Sequence, residues 1–385
     1  MINRFWKSNI NFENIDNRDI QNIKDILFEK DGKRNGNSFL RKIYYYCKPL
    51  IPRFLQIYLR QLKAKNVEDN GYEGIEQIYK KTFKKELRKL GKKSHFIWFW
   101  PKGYKMASII THDVETAEGF KNVLRLADID KKYGFRSSFE FVPEKYNIDF
   151  KILDELKYRG FEVAIHGLNH DGKLFNSEKV FRERLSMIKV YAGKWGVEGF
   201  RSPSLLRNAF WMQDFDFLWD SSFPDWDPYG PRQGGSKTIF PFFISTRTVE
   251  LPVTMVQDHT WFEILGKKNI VVWKDKIKYI EILNGLANII VHPDYIFKYN
   301  RIEYYSQYLH FLQSKENIWH ALPMDLANWW RKRDKSEIRF DENGQPYIEG
   351  PAAKDGIIAE ATVNAGKLVL HVGKHNTNFE SLHNS

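Results

Sequence analysis

Between about residue 105 and residue 325, short apolar runs alternate with helical patterns, and this alternation limits the chain to few architectures. The runs are Ala107–Thr111, Ser137–Val142, Phe161–His166, Gly199–Arg201, Val249–Val253, Ile289–His292 and Trp319–Leu322. Helical patterns lie between several of them, over Asn122–Tyr133, Phe150–Tyr158, Glu178–Trp195 and Asp275–Leu286. Strands that alternate with helices pair in parallel. Seven or so such units predict an α/β chain curled into a distorted (β/α)7-8 barrel, closed or nearly closed. Such barrels carry their chemistry at the C-terminal ends of the strands. Here polar, reactive residues stand where the apolar runs stop: His112 and Asp113, His166, Arg201 and His292.

The flanks read differently. Residues 1–95 are expected to form a basic, helical N-terminal extension, and the composition changes abruptly near His95 to FIWFWPKGY, the expected entrance to a barrel spanning 96–325. Within the extension, Phe39–Lys65 mixes basic residues with Tyr, Leu and Ile and is broken by Pro49 and Pro52. It is expected to pack on the barrel with its basic side in water; peripheral contact with an anionic membrane is the alternative. Residues 326–385 are expected to hold a small β unit, over roughly 335–373, and a loose end. Asn343-Gly344 is a hairpin signal, and TVNAGKLVLHV suggests a second hairpin turning at Asn364–Gly366.

Charge separates the same regions. The net charge is +12, and residues 1–100, with 22 Lys/Arg and 11 Asp/Glu, hold +11 of it. The remainder is near neutral, so no nucleic-acid partner is expected for the barrel. The lone cysteine, Cys47, excludes a disulfide within the chain and a thiolate metal cluster. The first twenty residues do not read as a signal peptide, and no run approaches the roughly 18 apolar residues of a membrane span, so a cytoplasmic location is expected.

Four motifs at strand ends carry chemistry. His166-Gly-Leu-Asn-His170 places two imidazoles where a strand end and its loop can converge, and neutral imidazole is a good Zn²⁺ ligand. Alone, the spacing more often marks two surface or packing histidines; the placement at a strand end favours a metal site. In Thr111-His112-Asp113-Val114-Glu115 the two carboxylates stand two apart, on the same side of an extended segment. One suits a metal, and the other suits a water proton. The competing reading is a helix N-cap at Asp113 or Thr116. Arg201-Ser-Pro-Ser204 would bury a guanidinium that needs an anion, and a catalytic carboxylate would serve. Ile290-Val-His292-Pro-Asp294 offers a histidine able to deliver a proton to a leaving amine.

Taken in order, THDVE, HGLNH, RSPS, DSSFPDW and NIIVH resemble the motifs of the polysaccharide deacetylase family, with its NodB-homology domain (carbohydrate esterase family four), over about residues 100–325. The resemblance implies a NodB-type barrel, one divalent metal, expected to be zinc, and removal of N-acetyl from an amino sugar of a polysaccharide or its precursor. Residue by residue, it implies Asp113 as catalytic base, His166 and His170 as metal ligands, Arg201 as partner of the base and His292 as general acid. Pro203, Asp220 and Trp226 fall in the substrate segments, with Asp220 and Trp226 spaced two residues wider than the family form. Asp258 and His259 are expected to line the cleft. Val114 stands where the family has a metal-binding Asp; Glu115 is therefore expected as third ligand, with Asp113 or His112 as alternatives. Gly167 replaces the usual Ser or Thr. Two other readings remain: a hydrolase of small amides on the same barrel, and an inactive barrel that binds a glycan.

Overall fold

The computed structural model describes residues 1–10, 12, 17–28, 51–67, 71, 73–91, 93–373 and 375–378. Cys47, Pro49 and residues 39–50 of the expected amphipathic segment lie outside the described residues, as do residues 379–385 of the expected loose end. Among the described residues, helices α1 (Ile2–Trp6), α2 (Asn17–Leu27), α3 (Arg53–Lys65) and α4 (Ile75–Leu90) precede strand β1 (Ser94–Ile97).

The central strands follow: β2 (Met106–Val114), β3 (Ser138–Phe141), β4 (Glu162–His166), β5 (Gly199–Arg201), β6 (Trp219–Asp220), β7 (Phe242–Phe243), β8 (Val249–Glu250), β9 (Leu286–Ile290) and β10 (Ile318–His320). Between and after them come α5 (Ala117–Lys121), α6 (Val123–Lys132), α7 (Phe150–Tyr158), α8 (Glu178–Trp195), α9 (Val271–Leu283), α10 (Ile302–Gln313) and α11 (Pro323–Asp334). Two of these helices, α7 and α8, have the limits their sequence patterns predict. Side chains of Asp149 and Ser177 cap their first turns, and Gly196 ends α8 in a left-handed conformation at φ 62°.

Parallel pairing runs from β2 through β3, β4, β5 and β6 to β8, and β9 joins the other side of β2 in register Ala107↔Leu286 to Thr111↔Ile290. The gap between β8 and β9 is bridged where the amides of Thr254 and Met255 both donate to the carbonyl of Asn288. The sheet therefore curls into a distorted barrel. β10 pairs with the first residues of β2, and β7 is antiparallel to β8. Strand β2 is buried along its whole length, as a strand covered on both faces must be, which explains the largely apolar start of MASIITHDV.

The C-terminal part contains both expected hairpins, β11 (Glu337–Phe340) with β12 (Pro346–Glu349), and β13 (Ile358–Asn364) with β14 (Lys367–Val372), followed by β15 (His375–Asn378). Two features were not legible in advance. Helix α11 starts on Pro323, a residue suited to the first helical position. Strand β1 completes the sheet of β13, β14 and β15, so chain on either side of the barrel shares one sheet.

Arg333, at the end of α11, ties these flanks together. Its buried guanidinium donates to the carbonyls of Arg4, Phe5, Trp6, Ile97 and Trp98. Trp6 in turn donates to Tyr79 O and stacks on Phe83 of α4. Arg333→Met keeps side-chain bulk but removes the donor from five carbonyls, four of them in buried hydrogen bonds. The expected loss is about 3 kcal/mol or more, read as a lower denaturant midpoint in equilibrium unfolding.

Candidate metal centre and cleft

A strand alternates its side chains, and at the end of β2 this sorts the THDVE motif into two sets. Thr111, Asp113 and Glu115 face the inside of the barrel. His112 and Val114 face the helices. His112 is sealed there: Nε2 lies 2.8 Å from Asp130 Oδ2 and Nδ1 lies 2.9 Å from Val291 O, while Ser137 and Tyr305 also donate to Asp130. His112 is thus not the alternative ligand considered from sequence. The N-cap of α5 is Thr116, whose hydroxyl accepts from the amide of Gly119, so Asp113 is free of that role.

Arg201, the last residue of β5, is completely buried. It donates to Thr111 Oγ1 at 2.8 Å, Asp113 Oδ1 at 2.9 Å, and the carbonyl and hydroxyl of Ser221, each at 2.9 Å. Glu140 of β3 comes within 3.5 Å of the same guanidinium. Burial raises the Asp113 carboxyl, but the charges of His166, Arg201 and His292 outweigh it and hold Asp113 below its ordinary value. Glu140 is not rescued in the same way: burial pushes it up to about 7 despite Arg201.

His166 and His170 converge, with ring centroids 5.1 Å apart. His166 is the last residue of β4, and its Nδ1 lies 3.2 Å from Arg201 O, leaving Nε2 directed at Asp113 Oδ2, 3.7 Å away. Burial lowers His166 to about 4, so the ring is neutral at physiological pH. The loop returns to the barrel through Gly167 at φ 66° and His170 at φ 54°. Arg184 of α8 pins it by bonds to Asn169 and to both oxygens of Asp171. Gly167 is sterically required: a Cβ there would stand 2.5 Å from the ring carbons of Pro203. The glycine in place of a hydroxyl residue reflects this contact and the left-handed backbone.

Glu115 completes the group. Its Oε1 lies 2.9 Å from His170 Nε2, in a geometry that makes no hydrogen bond, and its Oε2 accepts from Tyr295 at 2.9 Å. Its amide donates to Asp294. Burial raises this carboxyl, yet His170, then His292 and His166, hold it well below its ordinary value. One ligand atom each from Glu115, His166 and His170 lie within 4.8 Å of one another. The Nε2 atoms of both histidines are buried without a hydrogen-bond partner. Two orphaned imidazole nitrogens facing an ionised carboxylate form a donor set that fits a divalent cation such as zinc.

His292, two residues beyond β9, presents Nε2 to Glu115 Oε1 at 3.8 Å. Its Nδ1 lies 2.6 Å from Asp258 Oδ1, and its amide donates to Asp258 Oδ2. Burial lowers this imidazole, but Asp258, followed by Glu115 and Asp113, raises it to about 10, so it carries a proton.

The substrate-segment residues separate in space. His259 lines the metal cleft with Ser204, Asp227, Gln257 and Tyr295. Trp226 lines an adjoining groove of about 420 Å³ with Tyr229, Val253, Met255, Trp261 and Tyr279; Asp227, Gln257 and Thr260 belong to both. Asp258 lies behind His292 instead of lining the cleft. Pro203 is buried under Gly167. Asp220 is also sealed off: it pairs in register with Glu250 of β8, accepts from Ser222, and burial raises both carboxyls. Reading the sequence missed Tyr295, Asp294 and Glu140. Tyr295 and Asp294 sit within three residues of His292, a proximity that could have pointed to them; Glu140 had no local signal.

No family profile matches the sequence, and no curated protein does. Solved structures match the fold. A protein of Mycobacterium smegmatis assigned to the polysaccharide deacetylases aligns with a TM-score of 0.51 at 18% identity, over 61% of this chain and 93% of its own. One from Pseudomonas aeruginosa PAO1, likewise assigned, aligns with a TM-score of 0.50 at 17% identity, over 60% and 93%. The barrel has the NodB-type polysaccharide deacetylase fold, the architecture that the motif order implies.

Gly167→Ser adds a Cβ against Pro203 and forces a side chain into the left-handed region. The expected loss of stability is about 1–3 kcal/mol, seen in thermal unfolding, with weakened zinc uptake in a competition titration against a chromophoric chelator.

Proposed function

We propose that this chain is a metal-dependent carbohydrate deacetylase, a hydrolase that removes N-acetyl groups from an amino sugar of a polysaccharide or its precursor. The observation that carries the proposal is the convergence of Glu115 with the two unpartnered nitrogens of His166 and His170, beside Asp113 and a protonated His292. The assignment of two structurally similar proteins to the polysaccharide deacetylases supports the substrate class. The Trp226 groove beside the cleft supports it independently, since flat apolar rings suit sugar faces. The division of the chain at residues 95 and 325 belongs to the same proposal.

Glu115, His166 and His170 would hold the cation, and a bound divalent ion supplies Lewis acidity to the reacting carbonyl. The chain's own groups do the rest. Asp113, kept ionised by Arg201, takes a proton from the attacking water. As water oxygen bonds to the acetamide carbon, the carbon–nitrogen bond breaks. His292 donates its Nε2 proton to the departing nitrogen, and Asp258 balances and orients that imidazole from behind. Acetate and the free amino sugar result.

His166→Ala and His170→Ala are expected to remove stoichiometric zinc, measured by elemental analysis, and to lower acetate release by at least about 100-fold. Chitooligosaccharides and small linear or cyclic amides should be assayed side by side. Zinc binding with turnover of small amides alone would replace the carbohydrate reading. Full acetate release by either variant would end the hydrolase proposal.

Asp258→Asn removes the main influence raising His292. A raised imidazole keeps its proton until the pH passes its folded value, so activity needing that proton is lost on the alkaline side. In the variant this alkaline limb should move to lower pH. The rate at the optimum should fall by about 100-fold or more, with KM nearly unchanged.

A further inference from the structure

Helix α3 is built inside out. Its inward side consists of Gln56, Ile57, Arg60, Gln61 and Ala64. Gln61 donates to the carbonyl of Glu263 in the turn His259–Ile264, and Arg60 lines the metal cleft. Its apolar residues point to solvent: Phe54 is 74% exposed, Tyr58 54%, Leu59 45%, Leu62 40% and Leu55 38%. At 3.6 residues per turn these five occupy one arc of about 140°. The described part of the segment expected to pack on the barrel with its basic side in water does pack there with Lys63 and Lys65 in water, but its apolar face is in water as well.

Five large apolar side chains on one helix face exceed what scattered surface hydrophobics account for. The charges around the face indicate the occupant. Lys63 and Lys65 are exposed, as are Lys267 and Lys268 just past the turn on which α3 packs. An apolar face with a cationic border is the composition of a helix that lies in the headgroup region of an anionic bilayer. A protein partner binding this face would have no need of the exposed lysines beside it. No helix among the described residues is long and apolar enough to cross a membrane.

We infer that α3 docks on an anionic membrane surface through Phe54, Tyr58 and Leu62, bordered by Lys63 and Lys65. Because Arg60 of the same helix lines the cleft, docking brings the cleft close to the bilayer. Its substrate would then be an amino sugar borne at that surface, a consequence that rests on the hydrolase proposal; the docking does not.

The test is flotation of the full chain with vesicles of phosphatidylcholine alone or with about one third phosphatidylglycerol. Wild type should float with the anionic vesicles, bind the neutral ones at least about tenfold more weakly, and be released by high salt. F54D/Y58D/L62D should stay at the bottom, and K63Q/K65Q should bind about tenfold more weakly. Circular dichroism and acetate release from a soluble chitooligosaccharide should match wild type in both variants, separating lost docking from lost folding. Wild type that fails to float, or a triple-Asp variant that floats like wild type, overturns the inference. So does a solution dimer that the triple-Asp variant dissociates while wild type ignores vesicles. Flotation requires no turnover, so an inactive protein that floats would fail the hydrolase proposal and leave the docking standing.

Discussion

A positive charge fully removed from water is costly unless acceptors and a counter-charge surround it, and Arg201 is such a charge at the centre of this barrel. Its donors reach β2 through Thr111 and Asp113, and the chain just after β6 through Ser221. The guanidinium thus joins neighbouring parts of the sheet while fixing one oxygen of Asp113. Four buried carboxyls could compete for its charge. Burial raises Glu140, Asp220 and Glu250, and their surroundings do not reverse it. Asp113 alone is held below its ordinary value, by His166, Arg201 and His292 together. The buried charge therefore balances mainly the carboxylate that faces the histidines, so the interaction that stabilises the barrel interior also keeps the candidate base ionised.

Much of the barrel was legible in sequence because parallel strands buried on both faces leave unmistakable apolar runs. Gly199–Arg201, Phe150–Tyr158 and Glu178–Trp195 have the limits their patterns predict. The positions where those runs stop identified Asp113, His166, Arg201 and His292. What the runs could not reveal was depth. Pro203, Asp220 and Asp258 lie next to site residues in sequence, yet each is buried one layer behind the cleft. Pro203 packs under Gly167, Asp220 pairs with Glu250, and Asp258 supports His292. Such contacts join segments tens of residues apart, and no local pattern records them. The flanks were obscure for the same reason. The pairing of β1 with β13 spans more than 250 residues, and the inverted face of α3 depends on which side the barrel turn offers it.

The D-x-E arrangement follows from strand geometry. Asp113 and Glu115 stand two residues apart at one strand end and so face the same side, while Val114 between them is turned into the layer behind. Val114 is completely buried there, and Tyr146 donates to its carbonyl. The valine thus belongs to the packing behind the strand, and Glu115 offers its carboxylate one step further on. The two acids are then distinguished by their anchors. Asp113 is held by Arg201 from the barrel interior, while Glu115 is held by Tyr295 and Asp294 from the loop that also carries His292. A base that must stay ionised benefits from the first kind of support. A carboxylate that faces the imidazoles of His166 and His170 benefits from the second, because a single loop then sets its position relative to His292.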